Sequence, residues 1–152
     1  MKLAEALILR ADCQKRIEQL KQRLIRSAKV QEGETPPENP QMLIAELNRT
    51  VNELADLIKR INKTNSATNL EEGMTISEAL AERDTLMLKR GVYSSVIEVA
   101  ALRKDRFGAS EIKFFSTVNV ADLQAQIDQM SRQFRELDTR IQEINWNVEL
   151  TN

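Results

Sequence analysis

This sequence predicts an all-α fold: an antiparallel four-helix up-and-down bundle with long, coiled-coil-like helices and one extended segment before the last. Three observations predict it. Apolar residues recur in alternating steps of three and four along most of the chain, the rhythm of helices laid on helices. Only four glycines and three prolines interrupt 152 residues, and charged residues make up 30% of them. Helix-start signals stand at Asn39–Pro40, Thr75–Glu78 and Asn119. The length suits a single domain, residues 1–152, with a core that needs neither disulfides nor metal.

The first helix is expected from about Lys2 to Gln31. Its stripe is Leu3, Ala6, Arg10, Cys13, Ile17, Leu20 and Leu24. Its opening turns are apolar almost all round, and a helix apolar on every side must be covered on every side. Leu3, Leu7 and Ile8 are therefore candidate contacts with a second subunit. Pro36 and Pro37 stop a helix and Gly33 permits a turn, so Glu32–Asn39 reads as a loop. Asn39 then caps a second helix with Pro40 at its first position. Ile44, Leu47, Val51, Leu54, Ile58 and Ile61 form the expected stripe of that helix, with Leu43 and Leu57 on one flank. At its end RINKTNSATN turns polar, and Asn65 and Thr68 fall on the next seam positions. This stretch reads as a helix cap and loop, or as a polar seam that fixes register.

Thr75-Ile-Ser-Glu78 is a capping box opening the third helix, which carries Ile76, Ala79, Leu80, Leu86, Met87, Val96, Ile97 and Ala100. Arg83 and Arg90 interrupt its stripe. Gly91 either lets another helix approach closely or marks a bend, at a cost of about 1 kcal/mol relative to Ala. Asp105–Val118 lacks helical period, and Ile112 and Phe114 alternate with polar neighbours, as in a short strand or an extended lid. A connection that long is often interfacial, which makes Phe114 and Phe115 further interface candidates. Asn119 caps the last helix, whose seam runs through Val120, Leu123, Ile127, Met130, Phe134, Leu137, Ile141, Ile144 and Val148. Polar residues flank that seam, and Trp146 lies on the polar side.

LAEALILRAD at the start, RINKTN, ISEALAERD, SEIKFFSTV and LDTRIQEINW together resemble a family of small bacterial helical proteins often labelled septicolysin, of largely unknown function. The resemblance spans nearly the whole chain and implies the helical fold. The label alone implies a haemolysin and hence membrane activity. The sequence offers neither an export signal nor an amphipathic pore-forming hairpin.

Composition removes most chemistry. The chain has no histidine and one cysteine, which excludes Cys–His and Ser–His nucleophile pairs, Glu-x-x-His di-iron helices and a structural zinc site. No glycine-rich phosphate loop occurs. No cofactor is expected, and an enzyme using carboxylates and arginine is a disfavoured reading, with a membrane-active role below it. A lone cysteine points to a reducing compartment, and no run approaches the ~20 apolar residues of a membrane span; a cytoplasmic location is expected. Residues 1–31 carry eight Lys/Arg against three Asp/Glu, and residues 32–56 one against six. Such neighbouring opposite charges suit internal pairing, and without interleaved aromatics no nucleic-acid partner is expected.

Two functional readings remain. The first is a self-associating structural or interaction module, a homo-oligomer. The second is a small-molecule or anion-binding protein, with Arg10, Asn65, Arg83, Arg90 and Lys113 lining a polar pocket. Seam arginines need partners, because one uncompensated buried charge costs several kcal/mol; Asp12, Glu78, Glu82, Asp84 and Asp138 are within sequence reach.

Overall fold

The computed structural model describes residues 1–101 and 112–152. Among them are four helices: α1 (Leu3–Ser27), α2 (Pro40–Ala67), α3 (Ile76–Ala101) and α4 (Val120–Asn147). The all-α helical-bundle class expected from the sequence is the class observed. A two-stranded hairpin, β1 (Asn69–Glu71) with β2 (Met74–Thr75), links α2 to α3. Gly73 supplies its turn with φ +81°, a conformation open to glycine and costly for other residues. The chain divides into two compact units: Met1–Asn69 with Gln142–Asn152, and Leu70–Ile141.

In the first unit α1 and α2 pack as an antiparallel pair. Arg16 lies 3.8 Å from Glu53, and Arg23 grips Glu38 through two nitrogens at 2.6 to 3.2 Å. Every expected stripe position of α1 is buried or half-buried. Beyond its first turn, where Leu3 and Ala4 are also buried, its buried positions step by seven: Ala6, Cys13, Leu20, Ser27. On α2 the corresponding set is Leu43, Thr50, Leu57 and Thr64. Antiparallel order sets small Ser27 and Cys13 level with Leu43 and Leu57, and Leu20 level with small Thr50. Large is set level with small at each of these positions, a pattern that suits close packing of the seam.

This register corrects the expected stripe of α2. Ile44, Val51 and Ile58 are exposed and Leu43, Thr50 and Leu57, one residue earlier, take their places, while Leu47, Leu54 and Ile61 are buried or half-buried as expected. The threonines make it possible: Thr50 Oγ1 donates to Glu46 O at 2.9 Å and Thr64 Oγ1 to Arg60 O at 2.8 Å. Each hydroxyl is satisfied within its own helix, so burial leaves no orphan. Asn65 is half-buried beside the seam, whose polar position is Thr64. α1 ends four residues before the expected Gln31, where the chain enters the turn closed by Glu34 N–H to Gln31 O. Asn39 caps α2 as expected, accepting from the N–H groups of Gln41 and Met42.

The second unit contains β1–β2, α3 and most of α4. Arg83 Nη1 donates to Asp138 Oδ1 at 2.9 Å, and Arg90 Nη1 to Ser131 Oγ at 3.1 Å. Seven residues forward on α3 match seven backward on α4, so the helices are antiparallel in heptad register. Its core cluster is Ala79, Leu137 and Ile141, packed by Leu70, Met74 and Leu80. All nine seam positions expected for the last helix are buried or half-buried. The Thr75–Glu78 capping box forms, with Thr75 N–H to Glu78 Oε2 at 2.7 Å and Glu78 N–H to Thr75 Oγ1 at 3.2 Å. Asn119 accepts the Asp122 N–H at 3.1 Å to start α4. Of the expected extended segment, residues 112–118 carry no strand and residues 105–111 lie outside the described residues.

Candidate functional site

Helix α3 is the most apolar of the four helices and the least one-sided. One face carries the seam against α4. The opposite face shows a second line at helical spacing: Leu88, Val92 and Val99, exposed at 71%, 61% and 71%. Gly91 and Ser95 sit between them, one helical turn apart. A Cβ built on Gly91 would meet nothing within 4 Å, so the face opens there to solvent. Ser95 folds its hydroxyl back onto Gly91 O at 3.1 Å, which withdraws its polarity from the surface.

The segment before α4 completes the feature. Phe114 and Phe115 are exposed at 72% and 81%, and together with the α3 face they border a groove of about 1000 Å³. Among the described residues no charged side chain lines it. Lys89 is drawn aside over the Tyr93 ring, 5.6 Å from its centroid. At the far end of the segment Ser116 caps the turn into α4, accepting from Val118 N–H at 3.3 Å. The site is therefore an apolar surface, and among the described residues that line it none is an acid, a base or a thiol.

The sequence-derived residues fall in both units. Arg10 and Asn65 belong to the first; Arg83, Arg90 and Lys113 belong to the second. Arg83 is held by Asp138 and, at 3.3 Å, by Asp84, while Arg90 is held by Ser131. Arg10 is half-buried and Lys113 exposed. Of the interface candidates, Leu3 is fully buried in the core of the first unit, Leu7 is half-buried, and Ile8, Phe114 and Phe115 are exposed. Leu88, Val92 and Val99 escaped sequence reading, although their spacing on a helix already apolar on its seam was the available signal.

Burial first, and the Glu53 carboxylate second, push the Cys13 thiol above its ordinary range, which leaves little thiolate for reaction. Among the described residues no group of three His, Cys, Asp or Glu side chains is placed to hold a metal. Nor, among them, is any helix long and apolar enough to cross a membrane.

Comparison with known proteins gives a family and a fold without an assigned activity. No curated protein matches the chain. A crystal structure described as a functionally unknown conserved protein from Corynebacterium diphtheriae matches with 42% sequence identity and a TM-score of 0.94, over 99% of each chain. A family profile described as a family of unknown function, DUF6847, matches residues 10–150. Neither points to septicolysin, so the resemblance to proteins carrying that label, and the haemolysin it implies, is corrected. With the match running from Arg10 almost to the end, this chain belongs to the DUF6847 family of unknown function.

Proposed function

We propose that this protein is a self-associating helical module and that two copies dock through the groove between the outer face of α3 and the Phe114–Phe115 segment. The observation that carries this reading is that one apolar patch holds both projections and a hollow. Leu88, Phe114 and Phe115 project, and Gly91 with Ser95 leaves room for a side chain or a second helix. A two-fold interface uses the same patch on both subunits, so it needs knob and hole side by side. Among the described residues the lining is uncharged, which a second copy matches in kind. Exposed apolar area in one contiguous patch is costly unless used.

The anion-binding reading has less support, since Arg83 and Arg90 already have internal partners. A cytoplasmic location and a single folding domain are the companion expectations. The lone buried cysteine supports the first, and the family match across both units supports the second.

Sedimentation and light scattering on the full chain test the proposal. The expected result is a dimer at micromolar concentration that becomes a folded monomer in Leu88→Asp with Val92→Asp. Both side chains are exposed, so the paired substitution should leave the helical circular dichroism intact. A wild-type chain that stays monomeric at that concentration overturns the reading.

A further inference from the structure

The first unit holds a second groove, of about 380 Å³, between the opening turns of α1 and the last turns of α4. Leu7 and Ile8 form one wall over the small Ala4 and Ala11, and Gln142, Asn145 and Trp146 form the other. Its volume lies at the small end of the range for ligand sites, about 300–1,000 Å³. Two features set it apart from an ordinary dip between helices.

The first is Asn145. It is 5% exposed, yet its side-chain amide makes no hydrogen bond among the described residues. The amide is not sealed either, because the sole sealed orphan among the described side chains is Ser27 Oγ. What accessibility Asn145 keeps therefore opens onto the groove that it lines. A largely buried amide without a partner is costly, and an apolar residue would serve better if packing were its only task. The second is Trp146, the single tryptophan of the chain. It stands 55% exposed at the rim of a mostly apolar trough, beside half-exposed Ile8. Tryptophan in that setting is a frequent binding anchor, since a large rigid ring buries much surface at little entropic cost.

From these we propose that the groove takes a short extended peptide segment, whose backbone amide pairs with the Asn145 amide while an apolar side chain packs against Leu7, Ile8 and Trp146. The chemistry selects this occupant. An asparagine amide presents one acceptor and two donors, and can pair N–H to O and O to H–N with a peptide unit, as neighbouring strands do. A helix laid in the groove would bring no free backbone N–H or C=O along its length. A purely apolar molecule would fill the trough and leave the amide unpaired. The inference is independent of self-association through the second unit.

The test uses the full-length chain and the capped tripeptide acetyl-Leu-Phe-Leu-amide, read by the emission of Trp146. A saturable blue shift at up to millimolar peptide is expected. Asn145→Ala should weaken binding about tenfold or more, the loss of one well-formed hydrogen bond to a buried group. Because Asn145 packs in the interior, Ile8→Glu serves as a second variant at an exposed wall position and should abolish the shift. The same tripeptide with methylated backbone nitrogens keeps its side chains and loses its donors, and it should not bind. Absence of any shift at millimolar peptide overturns the proposal. Equal binding by the methylated peptide, or by Asn145→Ala, overturns it as well.

Discussion

The hydroxyl of Thr64 is fully buried and serves two bonds at once, donating to Arg60 O at 2.8 Å and accepting the Thr151 N–H at 2.9 Å. Valine has nearly the same shape and neither function. Thr64→Val should therefore cost about 1–3 kcal/mol, chiefly through the Thr151 N–H left unpaired. Denaturant titration would show this as a lowered midpoint at unchanged slope, and an unchanged midpoint would refute it. Cys13 offers a second reading of the same seam. Buried with a raised pKa, it should react with a thiol reagent at neutral pH only as fast as the unit opens, and fully once denatured. Acid tests the surface carboxylates. The Thr75 backbone N–H first, and its hydroxyl second, hold Glu78 below its ordinary 4.5. The Arg23 hydrogen bond does the same for Glu38, and Lys2 followed by the α-amine for Glu149. Carboxylates depressed in the folded state stabilise it above their unfolded pKa, and that contribution disappears as pH falls through the folded value. Stability should thus decline on acidification below about pH 4.5. The deficit of Glu78→Gln relative to wild type, present at pH 7, should close over that range in urea titrations at a series of pH values.

At the scale of elements, Gly91 separates what α3 needs from what the proposed interface needs. Its φ is not in the left-handed region and a Cβ there meets nothing within 4 Å. Gly91→Ala should stabilise the isolated helix by about 0.5–1 kcal/mol, and by filling the hollow it should weaken the dimer. The melting temperature of the monomer and the dimer dissociation constant should both rise, and a dimer that tightens would show that the hollow is unused. How far each element was legible follows from similar local physics. The seams of α1 and α4 were readable to the residue, because apolar side chains occupy them almost throughout. That of α2 was not, since Ile44, Val51 and Ile58 advertise one register while Thr50 and Thr64 hide the true one by bonding their own helix. The β1–β2 hairpin is too short for an alternation to register; Gly73 is its one visible mark. Of the candidate surface, Phe114 and Phe115 stood out as aromatics in a non-helical stretch. The α3 line needed only a second pass at the same spacing. Asn145 could not be found from sequence, because a polar residue off the seam looks solvated until burial is known.

For the molecule as a whole, the order in which residues arrive matters more than any single contact. The first unit is not finished by α1 and α2. Leu3 N–H donates to Val148 O at 2.9 Å and Leu150 N–H to Met1 O at 2.8 Å, forming an antiparallel bridge between Lys2 and Glu149. Arg60 Nε donates to Thr151 O at 3.1 Å and Lys63 Nζ to Asn152 O at 2.8 Å, tying the same segment to α2. Leu150 is buried against this clasp. Antiparallel order sets Ala6 level with Thr64, the one level where small faces small, and Thr64 is where the returning chain binds. Contacts between positions nearly 150 residues apart are late and entropically costly to close. The helical hairpin of the first unit is therefore closed by contacts from residues 148–152. Ending the chain at Asn147 removes the clasp, at a cost on the order of several kcal/mol from one buried leucine and the lost hydrogen bonds. Hydrogen exchange would locate the effect. Amides in the first turns of α1 and the last turns of α2 should lose protection, while those near Ala79 and Leu137 in the second unit keep theirs. Uniform loss across both units would mean that the clasp supports the whole molecule, and unchanged protection in α1 would mean that its seam with α2 suffices alone.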